Sequence, residues 1–117
     1  MWAEYLEFWQ DRYPDLLAAT WEHLSISFAS IALGILVAVP VGIYLAGNRR
    51  KWLHSAVFGV ANLFQTIPSL ALLAILIPLL GIGAKPAIFA LFLYSLLPIL
   101  RNTYAGFQSV DPSVLEA

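Results

Sequence analysis

Asn62, Gln65, Thr66 and Ser69 are hydrogen-bonding side chains inside a run of 33 residues, 52–84, that holds no Lys, Arg, Asp or Glu. Their spacings of three and four place them on one face of a helix. Counted from Ser55 at about 1.5 Å per residue, they lie roughly 10–21 Å along it, in the middle of a hydrocarbon core about 30 Å thick. Pro68 has no amide hydrogen to donate and leaves a carbonyl four residues earlier in need of another partner. A polar, proline-interrupted patch at that depth has two uses. It lines a path or forms a hinge for a polar solute, with Asn62, Gln65, Thr66, Pro68 and Ser69 as the residues involved, or it supplies hydrogen bonds between helices with no part in transport. The residues alone leave both readings open.

Other chemistries find no footing. The chain has no cysteine, which excludes disulfides, thiolate metal sites and Cys nucleophiles. His23 and His54 are 31 positions apart, without metal-ligand spacing, and read as polar anchors at membrane boundaries. There is no nucleophile paired with a base, no pair of buried carboxylates and no phosphate-cradling glycine loop, so neither an enzymatic site nor a bound cofactor or metal is expected on this chain. A net charge of −1 with no basic stripe excludes nucleic acid as a partner. No charged residue lies deep in a span, which argues against proton-coupled antiport and against a small multidrug exporter built on a membrane-embedded acid.

The elements that must position the polar patch follow from composition. Of 117 residues, 61% are hydrophobic and 11% charged, against about 25% charged in a soluble domain. No charged residue lies between Glu22 and Arg49, a gap of 26 residues, and about 20 apolar residues suffice to cross a bilayer. The expected fold is all-α and integral to the membrane, with three spans at about 24–46, 55–80 and 82–100. Residues 1–22 precede them as an amphipathic extracytoplasmic segment lying at the interface, with Trp2, Leu6, Trp9, Tyr13 and Leu17 on one stripe and Glu4, Glu7 and Asp11 off it. Pro14 is expected to end this helix and Asp15 to cap the next. A cleaved signal peptide does not fit, because the segment is acidic and the apolar run after it is too long.

In the first span Ser30, Gly34, Ala38, Gly42 and Ala46 repeat a small residue at every fourth position. Such a face lets another helix approach closely, a main source of association in lipid. Pro40 is expected to kink this helix. Arg49, Arg50 and Lys51 in the following turn mark a cytoplasmic loop, so the amino terminus is expected outside, with Arg101 also inside. Near the end, Asp111 as N-cap and Pro112 at the first helical position start a helix. The sequence stops about five residues later, and this suggests half of a subunit rather than an autonomous three-helix protein. A small structural or regulatory membrane protein is the alternative if the chain truly ends at Ala117.

Four motifs in order carry a resemblance: Asn62-Leu63-Phe64-Gln65-Thr66-Ile67-Pro68-Ser69-Leu70-Ala71-Leu72-Leu73, Ile77-Pro78-Leu79-Leu80-Gly81-Ile82-Gly83, Leu97-Pro98-Ile99-Leu100-Arg101-Asn102-Thr103-Tyr104, and Asp111-Pro112-Ser113-Val114-Leu115-Glu116-Ala117. Over roughly residues 20–117 the chain resembles the membrane permease subunit of osmoprotectant ABC importers, which take up glycine betaine, carnitine or choline. Permeases of other small-solute ABC importers share the scaffold. The resemblance implies a type I importer permease domain over 23–117, with residues 101–117 beginning its cytoplasmic coupling loop. It implies that Asp111, Pro112 and Ser113 lead into that loop, and that Glu116 and Ala117 open the short helix seated on a separate ATP-hydrolysing subunit. The further partners implied are an external substrate-binding protein, a second permease subunit and the cell-membrane bilayer.

Overall fold

A computed structural model describes residues 1–111 together with Ser113 and Val114. Four helices follow one another: α1 (Trp2–Gly47), α2 (Lys51–Thr66), α3 (Ser69–Leu80) and α4 (Ala84–Ser109). No strand occurs among the described residues. By length and composition α1 and α4 can each cross a membrane, and α2 with α3 forms a third candidate, a broken span or re-entrant loop bent by 95°.

The expected break at Pro14 is corrected. One helix passes Pro14 without stopping and restarting at Asp15, and Pro40 also lies within it. The phase explains this: 29 residues, about eight turns at 3.6 residues each, separate Trp9 from Ala38 and Tyr13 from Gly42. The aromatic stripe and the small-residue stripe are thus one face of one helix. A proline removes a single ladder bond, which the turns on either side outvote when both are helical. Asp15 makes no capping bond and instead pairs with exposed Arg12 at 3.5 Å, a contact worth little in water.

α4 is the mast of the fold. Ser30, Gly34, Ala38 and Gly42 of α1 are buried, Ser30 at 1% and Ala38 at 3% exposure, and they bring α1 onto α4. A Cβ at Gly34 would run into the Ser95 hydroxyl, and one at Gly42 would lie 2.9 Å from both Cβ and Cγ2 of Thr103. Farther along, the Gln108 amide donates to the Ala46 carbonyl at 3.0 Å. Ala46 itself is half-buried, and Leu45, fully buried, takes the last place in the α1 seam. Partners that advance together along both chains make the two helices parallel. The constant offset of 61 between Gly34 and Ser95 and between Gly42 and Thr103 puts the start of α4, Ala84, level with His23. Residues 2–22 therefore stand clear of the bundle, every one of them exposed.

α2 runs antiparallel along another side of α4, with Ala61 buried against Leu97 and Leu100. The expected single helix over 55–80 is instead two. Ile67, the residue before Pro68, is extended (φ −72°, ψ 125°), as is Pro68 (φ −60°, ψ 139°); the proline ring disfavours helical geometry in the residue that precedes it. α3 then packs Leu72 and Leu76 on Ala90 and Leu93 of α4. It ends at Gly81, whose amide donates to the Ile77 carbonyl at 2.7 Å. Gly81 (φ +86°) and Gly83 (φ +129°) take backbone conformations that residues with a Cβ avoid, and the turn between them starts α4 at Ala84, two residues after the expected 82. The same helix runs nine residues past Leu100, to Ser109.

Candidate functional site

The break between α2 and α3 concentrates the polar groups of the spans. Asn62, Gln65 and Thr66 share a face of α2, but Ser69 opens α3 beyond the bend, so the continuous four-residue face expected from spacing does not form. Pro68 sits at the corner as the residue preceding α3. The Thr66 hydroxyl donates to the Leu63 carbonyl at 2.7 Å, satisfying one carbonyl at the end of α2. Gln65 turns toward α4 and donates its side-chain amide to the Tyr94 carbonyl. Asn62 and Ser69 are exposed and make no side-chain hydrogen bond among the described residues. Helix ends carry unpaired backbone groups, carbonyls at the end of α2 and amides at the start of α3, so the corner joins a partially negative end to a partially positive one.

Beside the elbow is a cavity of about 350 Å³ between α1, α2 and α4, walled by side chains such as Val41, Val57, Val60, Phe64 and Leu96. Its lining residues are all apolar and offer a polar solute no hydrogen-bond partner. The polar side chains beside it are those of the corner, where Asn62 and Ser69 are exposed.

Sequence reasoning missed Tyr94. Its hydroxyl donates to the Ile67 carbonyl at 2.6 Å, so it meets the elbow twice. The available signal was a phenol within an apolar helix, where the hydroxyl must find a partner. Missed as well was the joint at the other end of α2. There the His54 ring nitrogen Nε2 lies 2.6 Å from the Asn48 carbonyl oxygen, and the ring meets Tyr104 edge-on at 5.3 Å. Asn48 also accepts the Arg50 amide at 2.8 Å, ordering the turn that carries Arg49, Arg50 and Lys51.

Beyond α4, Asp111 accepts both the backbone amide and the hydroxyl of Ser113, each at 2.9 Å, and its carbonyl accepts the Val114 amide at 2.9 Å. The expected sites Pro112, Glu116 and Ala117 lie outside the described residues. The bonds from Ser113, backbone first, hold the exposed Asp111 carboxyl below its ordinary value of 3.8. A depressed carboxylate stabilises its turn above the unfolded value and loses that contribution as pH falls through the folded one. The Ser113 amide resonance is therefore expected to be constant from neutral pH to about pH 4 and to shift only below it. In Asp111→Asn that acid transition disappears; if it persists at the same pH, Asp111 does not cap the turn.

The profile of the binding-protein-dependent transport system inner membrane components matches residues 38–117. The chain is 51% identical over 110 residues to the carnitine transport permease protein OpuCB of Listeria monocytogenes, covering 94% of this chain and 50% of that one. It is 50% identical over 112 residues to the choline transport system permease protein OpuBB of Bacillus subtilis and 53% identical over 112 residues to the glycine betaine/carnitine/choline permease protein OpuCB of the same organism, with 96% of this chain and 51% of each relative covered. The chain thus spans about half the length of the curated relatives it matches. No solved structure matches it significantly.

Proposed function

The chain belongs to the family of binding-protein-dependent transport system inner membrane components, and from that premise we propose that it serves as a transmembrane permease subunit of an ATP-driven importer of quaternary-ammonium osmoprotectants such as glycine betaine, carnitine or choline. The observation that carries the mechanistic part is the broken α2–α3 pair. It gathers Asn62, Thr66, Ser69 and two helix ends at one corner, the arrangement that broken helices use to pass a polar solute through lipid. Gln65 and Pro68 shape that corner, and Asn62 and Ser69 line the path. The substrate class rests on the names of the relatives.

ATP hydrolysis resides on a separate subunit, engaged through the segment that begins at Asp111 and includes Pro112, Ser113, Glu116 and Ala117. An external binding protein delivers the solute, and a second permease subunit, identical or related, completes the path. The chain is multi-pass in the cell membrane with its amino terminus outside. Parallel α1 and α4 support that orientation, because they bring the Arg49–Lys51 turn and the carboxyl end of α4 to the same side, while Glu4, Glu7, Asp11 and Asp15 lie at the opposite end.

In the full permease, Asn62→Leu and Ser69→Leu are each expected to lower osmoprotectant uptake by about tenfold, the scale of one lost polar contact of about 1.4 kcal/mol, while insertion into the membrane is unchanged. Radiolabelled betaine uptake, normalised to the amount of permease in the membrane, reads this directly. Normal uptake by both variants removes the corner from the path.

A further inference from the structure

Two prolines on neighbouring helices each disturb a backbone ladder, and the acceptors beside them are satisfied crosswise. The Tyr94 carbonyl would normally accept the amide four residues on, but that residue is Pro98, which has none. The donor it receives is the Gln65 side chain from α2. Pro68 breaks α2 from α3, and the Ile67 carbonyl at that break receives the Tyr94 hydroxyl at 2.6 Å. One residue of α4 thus holds the end of α2 and the corner by two hydrogen bonds, while its ring packs against the cluster that includes Leu72 and Leu76 of α3. The α3–α4 contact is apolar, and lipid tails replace apolar contacts at little cost.

We propose that Tyr94 is a positioning residue that couples the placement of α4 to the angle of the α2–α3 elbow, and so to the opening of the corner at Asn62 and Ser69. The elbow's role in uptake rests on the transport reading above; the latch itself does not. α1 and α4, locked together through glycine contacts, move as one body. The latch ties the end of α2 to that body, and α3 is held to it by apolar contacts. A displacement of α4, whose carboxyl end leads directly into Asp111, then changes the elbow angle through the two bonds at Tyr94.

The test uses the full permease assembled with its ATPase and external binding protein, in membranes. Because this chain has no cysteine, Ser69→Cys adds a single reporter here, and any cysteine elsewhere in the assembly is replaced beforehand. Tyr94→Phe removes the hydroxyl alone, and Gln65→Met removes the other arm at nearly constant volume. In each variant the rate of labelling by a membrane-impermeant maleimide at position 69 is expected to change by about threefold to tenfold, the range for one interhelical hydrogen bond. With native Ser69, the maximal uptake rate is expected to fall while the half-saturating concentration is retained. Labelling within twofold of the parent in both variants overturns the latch, as does failure of both to insert, which would make the bonds a folding requirement. Changed labelling with unchanged uptake overturns the coupling. If the parent imports no osmoprotectant yet labelling responds as expected, the transport reading fails and the latch stands.

Discussion

Gly42→Leu is expected to lower the unfolding free energy of the protein by about 1–3 kcal/mol through overpacking and to separate α1 from α4. The first added atom already meets Thr103 Cβ and Cγ2 at 2.9 Å and the Leu100 carbonyl at 3.4 Å. Neither Thr103 Cβ nor a helix carbonyl is a flexible tip that can swing aside. Leucine is the decisive variant, because with alanine a gain in helix propensity of about 0.8–1.0 kcal/mol would offset much of the clash. Gly59→Leu on α2 is the comparison: nothing lies within 4 Å of a Cβ there, so it is expected to be neutral or stabilising, by no more than the helix-propensity gain of about 1 kcal/mol. Thermal unfolding of the detergent-solubilised protein, followed by circular dichroism, separates the two. Equal melting of Gly42→Leu and parent would mean that the glycine seam is not the main joint of the fold.

Pro68→Ala is expected to straighten the elbow and to reduce uptake by tenfold or more. Three contributions decide the balance. Replacing a proline by alanine within a continuous helix favours that helix by about 3 kcal/mol. Against it stand the two hydrogen bonds at Tyr94, about 0.6 kcal/mol each on average and up to about 1.7, and the packing of Leu72 and Leu76 on α4, which lipid largely replaces. At the average strength of such bonds, about 1.2 kcal/mol for the two, straightening wins. Spin labels at Ser55 and Leu79 read the outcome, since at 1.5 Å per residue they are about 23 Å apart across a 95° corner and about 36 Å apart on one straight helix. A distance that stays at the shorter value would show that the bend is imposed by α4 rather than by the proline.

The two variants probe features of very different legibility. The small-residue face of α1 could be read directly, because it is a period in one segment: Ser30, Gly34, Ala38 and Gly42 recur every fourth residue, and all four are buried in the structure. The polar residues around Pro68 were likewise visible as residues, and so was the family resemblance carried by their motif. What spacing misjudged was their arrangement. A helix drawn through Ser55 to Leu80 places Ser69 beside Gln65, whereas the break assigns it to another helix. The opposite error occurred at Pro14, where a proline was expected to end a helix that in fact continues. Whether a proline breaks or is absorbed depends on its surroundings. At Pro14 the amphipathic phase continues unchanged on both sides, while at Pro68 a tyrosine from α4 compensates the break.

Sequence by itself determined the membrane class, the seam of α1, the basic turn at Arg49–Lys51 and the identity of the polar residues, because composition and period act within one segment. Tertiary structure alone decided the elbow angle, the division of the polar patch and the role of Tyr94. These depend on donors and acceptors 27 and 29 residues apart in the chain, brought together only when α4 lies against both limbs of the broken helix. In lipid an unpaired carbonyl has no water to turn to, and its partner is chosen by whichever helix is nearest.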